Sequence, residues 1–243
     1  MIYTDTLRLL FTVFKKHFVL ILSIDTSTTV CSVALHTLEG QLLSYYEQHI
    51  DKSHSEYLAV MIQNVTENAG INMSELSAVA VSEGPGSYTG LRIGASTAKG
   101  LCFTLDIPLL GVSTLKSMAL QISYTTDAED IICPMLDARR MEVYTALYTK
   151  GMEELLSPQP MVMDENSLSD VKARLVYFGN GAEKCQELLD NRPTKLIKNI
   201  VPSAQFIGEL AVELYKAEDF KDVAYWEPEY LKEFQATTPR KRL

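Results

Sequence analysis

The residues best placed to do chemistry are a glycine-rich run, Ser82 to Gly94, and an acid–hydroxyl cluster at Asp25. Glycine permits positive φ angles and exposes backbone N–H groups. A glycine loop at a helix N-terminus can therefore cradle an anion or let another chain approach closely. No Lys-Ser or Lys-Thr follows, which argues against a Walker A phosphate loop. A strand-to-helix turn that needs glycine only for its geometry is the other interpretation. The glycines concerned are Gly84, Gly86, Gly90 and Gly94.

The second cluster, Asp25-Thr26-Ser27-Thr28, follows an apolar run typical of a buried strand. A carboxylate supplies the hard oxygen ligand that Mg²⁺ prefers, while hydroxyl and N–H groups reach a phosphate. Asp25, Thr26 and Ser27 are therefore candidates for nucleotide contact. A hairpin turn capped by its own Asx and Ser/Thr side chains explains the same residues without a ligand. Both interpretations stay open.

Metal and hydrolase chemistry find little support. No HxxxH or HExxH pattern occurs among the four histidines, and no CxxC pair occurs among the four cysteines. These are the spacings that zinc sites use. No GxSxG nucleophile elbow is present either. We therefore predict no metal site, and we interpret Cys31, Cys102, Cys133 and Cys185 as reduced core residues of a cytoplasmic protein.

The composition is that of a soluble globular protein. The chain has 243 residues, of which 47% are hydrophobic and 22% charged, and its net charge is −9. That charge argues against a free-standing nucleic-acid binder, because phosphate contacts need concentrated Lys and Arg. Residues 1–17 are interpreted as an N-terminal extension. The apolar stretch from Leu9 to Leu22 is interrupted by Lys15 and Lys16, so neither a membrane span nor a secretory signal is expected.

The order of elements predicts an α/β protein. Apolar strands are expected at 19–24, 30–35 and 42–48, followed by a helix over 55–69. A strand at 76–81, a helix at 91–105, a strand at 108–112 and a helix at 114–122 complete a β-β-β-α-β-α-β-α series.

The second half begins in the same way as the first. A strand ending in Asp137 precedes a strand that closes in Ala146-Leu147, just as Asp25 precedes Ala34-Leu35, and the two pairs are equally spaced. This indicates duplicated ribonuclease-H-like domains of the actin-like ATPase type, with mixed sheets and a degenerate second copy. The predicted domains span 18–125 and 126–243.

The rest of the second half is less regular. It is predicted to contain a strand at 175–178, a helix from Ala182 and a helix at 204–216. The end of the chain is expected to pack back on the body, because Trp226, Tyr230 and Leu231 are costly to leave exposed.

The motifs taken together closely resemble the bacterial TsaB (YeaZ) family, from about Val19 to the C-terminus. They are Ile24-Asp25-Thr26-Ser27-Thr28, His54-Ser55-Glu56, the glycine run, Ala98-Lys99-Gly100-Leu101 and Asp137-Ala138-Arg139-Arg140-Met141-Glu142-Val143-Tyr144. The glycine run is specific to this family and to its glycoprotease-like catalytic paralogue, TsaD. In TsaD, two histidines four residues apart bind the metal. Thr114 and Met118 stand at those positions here, so the resemblance implies the non-catalytic partner.

For this family the resemblance implies a scaffold or activator in the modification of tRNA adenosine 37 to N6-threonylcarbamoyladenosine. The implied partners are a TsaD-like catalytic subunit, a TsaE-like ATPase and tRNA through the complex only. A homodimer is also left open. The implied cofactor is none, or ATP or ADP at the partner interface. The interface would use helices 55–69 and 91–105, with candidate residues Leu58, Met61, Ile62, Val65, Arg92, Ala95, Ala98 and Leu101.

Two other functions compete with this one. The first is a metal-dependent glycoprotease-like hydrolase or acyltransferase, against which the Thr114/Met118 pair argues. The second is an actin-superfamily enzyme that binds a nucleotide. That function needs an adenosine site in the second half, where only Gly179-Asn180-Gly181 points to one.

Overall fold

A computed structural model describes residues 19–49 and 54–232. The predicted extension 1–17 lies outside them. Two five-stranded mixed sheets share one topology, the duplicated ribonuclease-H-like architecture. The first has the order β3-β2-β1-β4-β5, and the second, read from its far edge, has β8-β7-β6-β9-β10. In each sheet the first three strands are antiparallel, while the fourth pairs parallel with the first and with the fifth.

The first half follows the predicted series. Its strands are β1 (Leu20–Asp25), β2 (Cys31–Thr37), β3 (Leu42–Gln48), β4 (Ala78–Gly84) and β5 (Leu109–Ser113). Its helices are α1 (His54–Asn68), α2 (Tyr88–Leu105) and α3 (Thr114–Ser123). Strand β1 is apolar throughout because both of its faces are covered: Leu22 and Ile24 lie under α1 and α2, and Ile21 lies on the opposite face.

The second half departs from the series in its helices. Its strands are β6 (Ile131–Asp137), β7 (Glu142–Thr149), β8 (Glu154–Val162), β9 (Leu175–Phe178) and β10 (Thr194–Ile197). No helix lies between β8 and β9 in this part of the described chain. The helix predicted from Ala182 is a short 3-10 turn followed by α4 (Gln186–Leu189). Strand β8 was not predicted because it contains Pro158 and Pro160. It tolerates these prolines because it is an edge strand.

The two halves exchange helices. Helix α3, from the first half, packs Leu115, Met118 and Ile122 against the second sheet. Helix α5 (Ala204–Lys216), from the second half, packs Ile207 and Ala211 against the first sheet. The predicted boundary near residue 125 falls in the connection between α3 and β6. The strands of the two sheets lie on either side of it, whereas helices α3 and α5 each pack on the sheet of the other half.

The predicted reduced cysteines are all buried and unpaired, and burial raises the pKa of the Cys31 thiol to about 12. Among the described residues, none of the helices has the length and apolar character that crossing a membrane requires.

Candidate functional site

The Asp25 carboxylate ends β1 inside the protein. It is fully buried, and its Oδ1 accepts hydrogen bonds from the Ser27 N–H and hydroxyl, at 2.9 and 2.8 Å. Its Oδ2 has no hydrogen-bond partner among the described residues. Burial raises the pKa of Asp25 to about 6, because the bonds from Ser27 only partly offset the loss of water. The capped hairpin turn anticipated from sequence is therefore present.

The glycine loop packs directly on this hairpin. Helix α2 begins after Ser87, whose hydroxyl accepts from the Gly90 N–H, and the Ser87 N–H donates to the Ser27 carbonyl at 2.7 Å. A Cβ on Gly90 would lie 2.0 Å from the Thr26 carbonyl oxygen, and one on Gly86 would lie 2.4 Å from that of Ser27. These glycines permit close approach between two backbone segments of the same chain.

Thr26 completes the contact. Its hydroxyl donates to the Gly90 carbonyl at 2.8 Å, and a Cβ on Gly94 would lie only 2.4 Å from the same hydroxyl oxygen. Asp25 and Thr26 are thus enclosed by the loop. Of the three residues predicted to contact a nucleotide, only Ser27 lines an open space. Nucleotide contact itself stays a prediction.

The remaining loop glycine, Gly84, has a φ of +121° and faces the end of the chain. A Cβ there would lie 2.6 Å from the Glu229 carbonyl oxygen, and the Glu229 N–H donates to the Glu83 carbonyl at 2.7 Å. The pKa of the Glu83 carboxyl is raised chiefly by burial, while Lys221 opposes that shift. The predicted return of the C-terminal segment onto the body is confirmed.

A cleft of about 440 Å³ lies between the two halves. On one side are the β1–β2 hairpin and the glycine loop, and on the other is the β6–β7 hairpin. The polar side chains that line it carry hydroxyl, amide, carboxylate and cationic groups, so it offers donors and acceptors to a polar occupant. They are Ser27, Thr28, Thr29, Ser87, Tyr88, Thr89, Asp137, Arg139, Tyr144, Asn180, Glu229, Tyr230 and Lys232.

The predicted partner-interface residues fall into two groups. Leu101 is partly buried and Arg92 is exposed. The other six are buried, and most of them form the stripes by which α1 and α2 cover the first sheet: Leu58, Met61, Ile62, Val65, Ala95 and Ala98. A helix on a sheet buries one stripe, and sequence periodicity marks that stripe and not the outer face. The interface assignment stays a prediction, and the faces open to a partner are the opposite ones.

Those open faces border a shallow groove of about 470 Å³ between the start of α1 and the exposed side of α2. Arg92 lies beside the Tyr88 ring, 5.4 Å from its centroid, and donates to the Tyr88 hydroxyl at 2.8 Å. The groove is lined by Ser55, Tyr88, Thr89, Arg92, Ile93, Ser96 and Thr97.

Thr114 and Met118, the pair that the resemblance sets at the positions of two metal-binding histidines, are completely buried on α3. Met118 belongs to the core under the second sheet. Over residues 19–49 and 54–232 the structure shows no cluster of three or more His, Cys, Asp or Glu side chains suited to a metal ion.

Comparison with known proteins fixes the family. The model of the TsaD family, tRNA N6-adenosine threonylcarbamoyltransferase, matches residues 47–226. The tRNA threonylcarbamoyladenosine biosynthesis protein TsaB of Escherichia coli (strain K12) is 29% identical over 223 residues, covering 87% of this chain and 94% of that protein. TsaB of Bacillus subtilis (strain 168) is 30% identical over 226 residues, covering 87% and 93%.

The chain belongs to the TsaB (YeaZ) family. The structure of YeaZ from Pseudomonas aeruginosa agrees, with a TM-score of 0.75 at 28% identity over 88% of this chain and all of that one. The activator of 2-hydroxyisocaproyl-CoA dehydratase from Clostridium difficile, 9% identical over 84% of this chain and 97% of that one, has a TM-score of 0.50 and supports the fold alone.

The sequence did not identify the residues that hold the C-terminal segment against the rest of the protein. Lys99 donates to the carbonyls of Ala224 and Trp226, at 3.3 and 2.9 Å, and Lys232 forms an ion pair with Glu142 of the second half. The apolar residues of the segment signalled that it packs. Nothing local in the sequence marks a lysine for a carbonyl more than 100 residues away, so its path could not be predicted.

Proposed function

We propose that this chain is the non-catalytic scaffold or activator subunit of the complex that makes N6-threonylcarbamoyladenosine at tRNA adenosine 37. It acts in the cytoplasm and binds a TsaD-like catalytic subunit, a TsaE-like ATPase joins them, and tRNA is reached only through the complex. The observation that carries the proposal is the character of Thr114 and Met118. A hydroxyl and a thioether enclosed in a core do not form a hard-metal site.

The outer faces of α1 and α2 are the docking surface in this proposal. The buried stripes of both helices pack against the first sheet. Outside that stripe, the hydrophobic residues Tyr57 and Val60 on α1 expose 42% and 49% of their surface. On α2, the small residue Ser96 lies in the groove and allows another helix to come close.

Docking is tested with Ser96→Arg, which places a long charged side chain in the groove. We expect this variant to lose co-purification with the TsaD-like subunit. The matched control is Ser169→Arg, an equal change at an exposed serine in the second half. Circular dichroism must show both variants folded. Retained co-purification of a folded Ser96→Arg variant would exclude this surface.

The non-catalytic role is tested by threonylcarbamoyl transfer to tRNA. We expect no transfer by this chain alone, and faster transfer when it is added to the TsaD-like subunit with its substrate and ATPase. Transfer by the purified chain alone, or a stoichiometric bound transition metal, would contradict the proposal.

A further inference from the structure

The end of the described chain runs from one half of the molecule to the other. We call residues 224–232 the strap. It has no regular secondary structure and is held to the first half at three places. Lys99 binds two of its carbonyls, the Glu229 N–H donates to Glu83, and the Tyr230 ring contacts the Tyr88 ring with centroids 4.7 Å apart.

Its last described residue reaches the second half. Lys232 forms an ion pair with Glu142, at the start of β7. Glu229, Tyr230, Leu231 and Lys232 also line the cleft between the halves. The strap therefore connects the two halves across this opening.

One pair of residues serves both the strap and the groove on α2. The Tyr88 ring contacts Tyr230 of the strap, and its hydroxyl accepts from Arg92. Both Tyr88 and Arg92 also line the groove. An acidic side chain of a partner that pairs with Arg92 would draw the guanidinium from Tyr88, because a carboxylate is a stronger acceptor than a phenol. Tyr88 would then lose one of the contacts that position its ring beside Tyr230.

We propose that the strap is a latch that is released when a partner carrying an acidic group docks in the α2 groove. The inference rests on the proposed function for the existence of that partner. Attachment of the strap and docking of the partner then disfavour each other by the same coupling free energy. Weakening the attachment of the strap therefore favours docking. A short segment without regular secondary structure can open without global unfolding, and its release uncovers the cleft.

The test uses full-length Tyr230→Ala, with Tyr225→Ala as control. Tyr225 lies in the same strap and exposes 86% of its surface. We expect Tyr230→Ala to increase hydrogen exchange over 227–232 and to bind the TsaD-like subunit roughly fivefold more tightly. Tyr225→Ala should change neither. Lys232→Ala, which removes the contact with the second half, should act in the same direction and guards against misfolding of the first variant.

The outcomes separate the two proposals. Wild-type binding with unchanged or weaker binding by both Tyr230→Ala and Lys232→Ala overturns the latch and leaves the proposed function standing. Slower exchange of the strap in the wild-type complex than in the free chain also overturns the latch. Absence of wild-type binding removes the proposed function and the latch together.

Discussion

The loops after the fourth strand of each sheet solve the same packing problem with different consequences. Gly84-Pro85-Gly86 begins at the last residue of β4, and Gly179-Asn180-Gly181 follows β9. The first glycine of each has a positive φ, +121° and +104°. The second glycine of each lies against the first hairpin of its own sheet, where a Cβ would meet backbone atoms at 2.4 and 2.8 Å. A shared glycine spacing thus reflects a shared contact between loop and hairpin.

The two loops lead into different structures. The first continues into an 18-residue helix, and the second into a 3-10 turn and a helix of four residues. The aspartates at the hairpins differ in the same way. Asp25 is buried and bound by Ser27, whereas Asp137 is partly exposed and pairs with Lys184. The second half keeps the contact between loop and hairpin, but its aspartate is partly exposed and forms an ion pair where Asp25 accepts buried hydrogen bonds.

The largest effect is expected at Gly90. A methyl group there meets the Thr26 carbonyl at 2.0 Å, and neither backbone can move without opening the loop. Gly90→Ala should lower the free energy of unfolding by about 3 kcal/mol or more. Denaturant unfolding measures it. Gly100→Ala on the same helix, where a Cβ meets nothing within 4 Å, should stabilise by about 0.5–1 kcal/mol. Equal effects would refute the packing role of the loop glycines.

A smaller, pH-dependent effect is expected at Asp25. Its folded pKa of about 6 lies above the unfolded value of 3.8, so the folded state binds the proton more tightly. Its contribution to stability is fully present below pH 3.8 and is lost as the pH rises through 6. The free energy of unfolding of Asp25→Asn should therefore rise by roughly 2–3 kcal/mol relative to that of the wild type between about pH 4 and pH 8. Denaturant unfolding across this range tests it, and parallel pH profiles would contradict it.

The smallest effect is expected at the matching aspartate. Asp137 and Lys184 form an ion pair with side-chain exposures of 44% and 23%. Water and salt screen such a pair, so a double-mutant cycle of Asp137→Ala and Lys184→Ala should give a coupling below about 1 kcal/mol, weaker still in about 1 M NaCl. A coupling as large as the Asp25 effect would show that the second hairpin kept its buried chemistry.

Much of this comparison was visible in the sequence. The equal spacing of the two aspartates predicted the duplication, and the apolar periodicity of α1 predicted a helix over 55–69. Patterns of this kind are local, and packing on a sheet enforces them. The sequence left the role of the loop glycines open, because glycine serves an anion and a neighbouring backbone equally well. The positions of the Thr26 and Ser27 carbonyls show that Gly90 and Gly86 lie against a neighbouring backbone.

The outer surface was harder to predict. Most of the residues selected for a partner from the resemblance are core residues, since apolar side chains at helical spacing mark the face that the chain itself covers. The strap was predicted only as a contact, because its lysines bind carbonyls and a carboxylate far away in sequence.

The exchange of helices between the halves constrains how the chain folds. The first sheet is complete once residue 113 is made, yet one of its faces stays uncovered until α5, ending at Lys216, has been synthesised. An apolar sheet face open to water is prone to association, so the nascent first half must wait, or be shielded, until α5 has left the ribosome. Neither half should be stable when expressed alone, and the protein should unfold in a single cooperative transition.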